Sequence, residues 1–334
     1  MKRDLGDIVD NVDGLSEWLS SVPYKLRRHG QLYRAEELYQ GYEPSDDEAE
    51  DKASFAACYD SRVYQHFVEQ GKEARDIRES VARTIHDHGI QTALKAFLAE
   101  HNPLKFVGIM GGHSLLRTDP MFSFVTMLSK QLTEEGFFMV SGGGPGVMEA
   151  THLGAWMAGR TDEEAQEAIR MLAEAAVSFK DQKWLSSALE VMRRFPQSRY
   201  ISLGIPTWLY GHEPSTPFAT HIAKLFTNSI REDIILTVAY GGIIYTPGSA
   251  GTLQEIFQNA VQDHYLSFGF ASPMVFMGKR FWTEDVPVYP MMRQMEEKGR
   301  YKNLLLTLTD NPLEIEQVLK DFQKAISKKT SELQ

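Results

Sequence analysis

Apolar residues follow two rhythms along this chain. Over the first hundred residues they are sparse and spaced as on helices. Glu17–Leu19 and Tyr33–Tyr39 are short helix-compatible segments, and Val81, Ile85, Ile90, Leu94 and Leu98 form an approximate helical stripe. Pro44–Asp51 is an acidic stretch, expected as a solvated link. Beyond Asn102-Pro103, short apolar runs alternate with longer stretches. Leu104–Met110, Phe137–Ser141, Tyr200–Ile205, Gly242–Tyr245, Pro273–Gly278 and Leu304–Leu308 read as buried strands. Pro120–Glu135, the residues from 147 to about Gly159, Phe226–Tyr240, Ile256–Val261 and Pro290–Lys298 read as helices. A last helix opens at Asn311-Pro312 and runs to about Lys328, since Pro suits a first helical turn. Residues 160–195, rich in Ala, Glu and Leu, read as a helical insert. Strands alternating with helices predict an α/β fold, a parallel sheet covered on both faces. A helical N-terminal region, 1–100, precedes a sheet-bearing domain, 101–330.

Three of the strands run into glycine turns, at 111–114, 142–146 and 248–251. In such sheets ligands bind beyond the carboxyl ends of strands. None of the turns fits the phosphate-loop pattern or the full dinucleotide fingerprint. The richest is Tyr245-Thr-Pro-Gly-Ser-Ala-Gly-Thr-Leu-Gln-Glu255, a strand–turn–helix junction. Its glycines let the backbone approach a ligand, and the N–H groups around Gly248–Thr252 suit an anion such as a phosphate. Glu255 is expected in the first helical turn, close to that anion. Thr252-x-x-Glu255 has the spacing of a capping box as well, which is a purely structural role. The loop Pro206–Pro217 carries Trp208, Tyr210, His212 and Glu213, and reads equally as a lid or base pocket and as a surface loop pinned by aromatics.

Composition narrows the classes. The chain has 334 residues, 43% of them hydrophobic, and a net charge of −10. An acidic chain is a poor general binder of nucleic acid, so no polymer partner is expected. Cys58 is the single cysteine, which excludes an internal disulfide. No run reaches transmembrane length and Met1-Lys2-Arg3-Asp4 lacks an apolar signal core, so a soluble cytoplasmic protein without a membrane partner is expected. His212 with Glu213, and Asp263 with His264, lack a third partner at ligand spacing, so neither metal nor cofactor is expected. Lys25, Arg27, Arg28 and His29 could meet an anion, but such a cluster is more often a solvated face.

Gly142-Gly-Gly-Pro-Gly-Val-Met-Glu149 and Pro247-Gly-Ser-Ala-Gly-Thr-Leu-Gln-Glu255 resemble the paired motifs of the LOG (Lonely Guy) phosphoribohydrolases. The Gly-Gly-His-Ser turn at 111–114 is similar to that of the larger bacterial pyrimidine/purine nucleotide 5′-monophosphate nucleosidases. The resemblance covers roughly residues 104–325. It implies a Rossmann-like fold, a homodimer or higher homo-oligomer, and hydrolysis of a nucleoside 5′-monophosphate to free base and ribose 5-phosphate. A sensor or carrier that binds the nucleotide without hydrolysis is the alternative. The implied catalytic pair is Glu255 and Arg231. Arg231 lies one residue farther from the motif than the family spacing, where Glu232 and Asp233 hold the ungapped positions. Candidate substrate and phosphate contacts are Gly112, Ser114, Gly143, Gly144, Gly146, Met148, Glu149, Gly248, Ser249, Ala250, Gly251 and Thr252. Ser249 stands where the family has Gly.

Overall fold

A computed structural model describes residues 14–27 and 30–332. Arg28 and His29 of the basic cluster, and Met1–Asp4, lie outside the described residues.

Five helices precede the sheet: α1 (Leu15–Ser21), α2 (Ala35–Leu38), α3 (Glu48–Ala57), α4 (Tyr59–Glu69) and α5 (Ile77–Ala99). The acidic stretch is not only a link. Asp47 accepts from the Ala49 and Glu50 N–H groups, and Glu48, Glu50 and Asp51 fill the first turn of α3. Carboxylates there face the positive end of the helix dipole, which is why the acidic run ends in a helix.

The sheet region follows as β1 (Phe106–Met110), α6 (Pro120–Glu134), β2 (Phe138–Ser141) and α7 (Val147–Met157). The expected insert is the pair α8 (Asp162–Ala175) and α9 (Trp184–Arg194). Thr161 and Glu164 close a capping box on α8. Then come β3 (Ser202–Gly204), β4 (His221–Ile222), α10 (Asn228–Val238), β5 (Gly242–Tyr245) and α11 (Ala250–His264). The chain finishes with β6 (Pro273–Phe276), α12 (Val288–Glu297), β7 (Leu305–Leu308) and α13 (Pro312–Glu332).

All seven strands form one parallel sheet in the order β4-β3-β2-β1-β5-β6-β7. The strand β4 was not legible in the sequence. It is two residues long, and Tyr33 bridges it antiparallel from outside, with Tyr33 and Ile222 exchanging both backbone bonds at 2.9 Å.

Period-two alternation splits the strands between two cores. Phe106 and Met110 face a cluster that holds Leu38, Val63, Phe67, Ile90 and Leu94 of the N-terminal helices together with Ile235, Ile256 and Met292. Val107 and Ile109 face the other cluster, with Phe122, Leu128, Leu153, Ile169, Val191 and Ile315. The N-terminal helices thus share one core with the sheet. The buried side of α5 is not purely apolar, since Glu79, Arg83, His86 and Asp87 lie inside with Ile90 and Leu94. Among the described residues, no helix is long and apolar enough to cross a membrane.

Candidate active site

The strand order reverses once. The chain lays β2, β3 and β4 to one side of β1, then returns to place β5 on the other side. Loops leaving β1 and β5 diverge there and open a crevice beyond the carboxyl ends. A cleft of about 370 Å³ occupies it.

The three glycine turns meet at this edge. Gly112 N–H donates to Pro247 O at 3.2 Å, and Val147 N–H donates to Gly112 O at 3.2 Å. Gly146, at φ +69°, allows the contact: a Cβ there would sit 2.5 Å from Gly112 O. Gly111, Gly112 and His113 line one wall of the cleft, with Met148 from the start of α7.

The opposite wall is the start of α11. Ser249, Ala250, Gly251 and Thr252 line the cleft, with Gln254 and Glu255 after them. The helix begins at Ala250, before the Thr252 cap that the Thr252-x-x-Glu255 spacing suggests. That displaces the capping box. Thr252 and Glu255 are the third and sixth helical residues, and Ser249, the N-cap, makes no side-chain cap. The first helical backbone bond runs from Leu253 N–H to Ser249 O, at 3.0 Å. The N–H groups of Ala250, Gly251 and Thr252 precede it and have no partner within the helix. Ser249 has φ −121°, so its side chain costs no left-handed strain.

Glu255 stands in the second turn of α11 and is half-buried. Burial pushes its carboxyl up to about 7; Glu232 adds to the rise and Arg231 opposes it. No hydrogen bond contributes to that balance. Arg231 is in the first turn of α10 and also lines the cleft. Its Nε donates to Ile205 O at 2.8 Å, which turns the terminal nitrogens toward Gly142. A Cβ on residue 142 would lie 2.1 Å from an Arg231 terminal nitrogen and 2.6 Å from Met148 Sδ. The glycine run therefore makes room for a guanidinium. Glu232 ties the two helices together, accepting from Asn228 Nδ2 at 2.6 Å and Gln254 Nε2 at 2.9 Å. Asp233 accepts from Gln258 Nε2 at 3.3 Å and does not line the cleft. Of the three neighbouring positions, Arg231 is the one that brings a cation to Glu255.

The loop after β3 closes the third side. Trp208 is fully buried and its Nε1 donates to Asp60 Oδ1 at 2.9 Å. Tyr210 and Glu213, beyond that anchor, line the cleft. One aromatic, Trp208, pins the loop, and the residues beyond it form part of the cleft wall. Glu213 lies 3.6 Å from His113 and 3.7 Å from His212.

The structure brings Gly112, Met148, Arg231, Ser249, Ala250, Gly251, Thr252 and Glu255 to the cleft. It does not place the other candidates there. Ser114 is exposed beyond the turn. Gly143 packs on Gly204 and Pro206, Gly144 on Met148, and Gly248 on Thr252. Glu149 points away from the cleft. It is 1% exposed, with Arg117 Nε donating at 3.1 Å and Trp184 Nε1 at 3.0 Å. That carboxylate is saturated by the fold and has no role left for a phosphate. Sequence reasoning left Gln254, Glu232 and His113 out of the site; their contact with it depends on the turn of α10 against α11 and of the 111–114 loop. Among the described residues, no group of three or more His, Cys, Asp or Glu could hold a metal ion.

No protein-family model matches the chain. No curated protein matches it. Among solved structures, it is similar to the molybdenum cofactor binding protein from the phototrophic bacterium Rippkaea orientalis. The identity is 14%, with a TM-score of 0.39 over 65% of this chain and 96% of that one. At that distance the likeness says nothing about ligand or chemistry.

Proposed function

We propose that this protein hydrolyses the N-glycosidic bond of nucleoside 5′-monophosphates, releasing free base and ribose 5-phosphate. One observation carries the reading. An unpaired carboxylate pushed up to about 7, an arginine and an open helix N-terminus share one cleft. A perturbed acid in a cleft is a functional candidate in its own right. The resemblance of the 142–149 and 247–255 motifs to the LOG phosphoribohydrolases supports the same chemistry.

The parts divide as follows. The 5′-phosphate sits on the N–H groups of residues 250–252, where the helix dipole favours it. Its binding energy aligns the ribose. Glu255 faces the sugar, where positive charge builds as the C1′–N bond breaks. Water oxygen bonds to C1′, and the C1′–N electron pair leaves with the base. The water proton passes to Glu255, and the base nitrogen takes a proton from solvent. Arg231 faces phosphate or ribose oxygens as a fixed donor. No step requires a cofactor. A homo-oligomer belongs to this proposal through the resemblance alone.

The test is incubation with a panel of purine and pyrimidine monophosphates, monitoring free base and ribose 5-phosphate. Release that disappears in Glu255→Gln supports the reading. Tight binding with no release would leave a nucleotide sensor or carrier instead.

A further inference from the structure

We infer that Asp87, in the N-terminal helical region, is a positioning residue for Arg231; this rests on the hydrolytic reading above. The chain enters α10 at Thr227. Thr227 is its N-cap and makes no side-chain cap. A helix start needs acceptors for its first N–H groups. Here the acceptor comes from 140 positions away. Asp87 of α5 takes the Phe226 N–H on Oδ1 and the Thr227 N–H on Oδ2, both at 2.9 Å. Its carboxylate is 2% exposed and lies at the positive end of the α10 dipole.

Thr227 links this carboxylate to the cleft. Its N–H is held by Asp87, and its carbonyl accepts the Arg231 N–H at 3.2 Å. Arg231 follows one turn later, with its guanidinium braced on Ile205 O. A shift of Thr227 therefore moves Arg231 relative to Glu255 on the neighbouring helix.

Asp87 is itself held. His86 Nδ1 lies 2.9 Å from Asp87 Oδ1, and His86 Nε2 lies 2.9 Å from Tyr33 Oη. Phe226 stacks on Trp208 with ring centres 4.5 Å apart and on Phe67 at 5.8 Å. Trp208 roots the loop that carries Tyr210 and Glu213, and its anchor is Asp60 of α4. Two carboxylates of the N-terminal region thus fix two walls of the cleft, Asp87 the Arg231 helix and Asp60 the loop. This assigns residues 30–99 a part in the site that the motifs do not indicate.

The test is a substitution cycle on the full chain with Asp87→Ala, Arg231→Ala and the pair combined. The readouts are kcat/KM for base release and the thermal midpoint. Asp87→Ala is expected to lose about tenfold to a hundredfold in kcat/KM. It is expected to cost almost nothing further once Arg231 is absent. Losses that multiply, or no loss in the single variant, overturn the proposal. Asp87→Asn keeps one acceptor oxygen and should recover part of the activity. If Asp87→Ala does not fold, Asp87→Asn takes its place in the cycle under the same criteria. A wild type that releases no base removes the hydrolytic reading first. The cycle is then read from the Kd of a nucleoside monophosphate by calorimetry, where additive losses or no binding overturn this proposal as well.

Discussion

Two arginine–glutamate couples stand at the same edge of the sheet, and they are built in opposite ways. Arg117 and Glu149 are each 1% exposed and fully engaged. Arg117 also donates to Ser187 Oγ at 2.9 Å and Trp184 O at 2.9 Å, while Trp184 Nε1 returns a bond to Glu149. Arg231 and Glu255 sense each other's charge without forming an ion pair, and both open onto the cleft. The same two side-chain chemistries give a rivet in one place and an open, unbonded pair in the other. The difference lies in saturation. A carboxylate with every oxygen occupied has no capacity for a substrate, whereas one that burial has desolvated and left unbonded does.

The comparison breaks most sharply at Glu255. Replacing it with Gln keeps the shape and removes the charge that the proposed mechanism sets opposite the ribosyl cation. Turnover should fall about 10²–10⁴-fold, with the fold and monophosphate binding retained. Near wild-type turnover would make Glu255 as structural as Glu149.

The converse substitution is Arg117→Met. It leaves Glu149 buried without its cation, which should cost about 3–5 kcal/mol of stability. Denaturant titration measures this, and the proposed base release by the folded protein should change little. A loss of activity larger than the loss of folded protein would move Glu149 back into the site.

Glu255 should also show itself in the response to pH. Glu255 is raised from the ordinary carboxylate value, 4.5, to about 7. Below the lower value it is protonated whether folded or unfolded and costs nothing. Above the upper value it is ionised in both states, and the folded protein carries the desolvation. Its effect on stability therefore becomes unfavourable as pH rises from about 4.5 through 7. Glu255→Gln should accordingly be more stable than wild type at pH 8, by about 1–3 kcal/mol after allowance for solvent in the cleft, and equal at pH 4. A variant less stable than wild type at pH 8 would contradict this. If ionised Glu255 is the base, kcat should rise with pH through about 7 and lose that limb in the variant.

The smallest effect belongs to Ser249. It faces the cleft beside the free N–H groups and takes no part in capping. Ser249→Gly should shift monophosphate affinity by about 0.5–1.5 kcal/mol, one hydrogen bond. Calorimetry with a monophosphate and its nucleoside checks this; equal affinity of the two for wild type would remove the phosphate from the helix start.

Much of this was legible in the sequence, for reasons that differ by element. Strands such as Phe106–Met110 and Gly242–Tyr245 are short and wholly apolar because both sheet faces are covered, so they stand out. Glycine turns are visible because no other residue fits where backbones touch. Position 231 was harder. Whether Arg231, Glu232 or Asp233 faces Glu255 depends on helix rotation, which the packing of α10 sets. Glu149 misled because a motif carboxylate buried against Arg117 is indistinguishable in sequence from one that faces a ligand. The role of Asp87 was invisible, since its partners are backbone groups of Phe226 and Thr227 and carry no sequence signature.

One feature at the far edge of the sheet bears on behaviour in solution. An exposed edge strand is a template on which another chain can add a strand, the first step toward disordered aggregation. Tyr33 occupies that position beside β4 by bonding Ile222 in both directions, and β4 itself is only two residues long. The N-terminal segment is therefore also a guard on the sheet. Trimming the chain through Tyr33 would leave the backbone of Ile222 available to any extended peptide, at the margin the fold otherwise keeps closed.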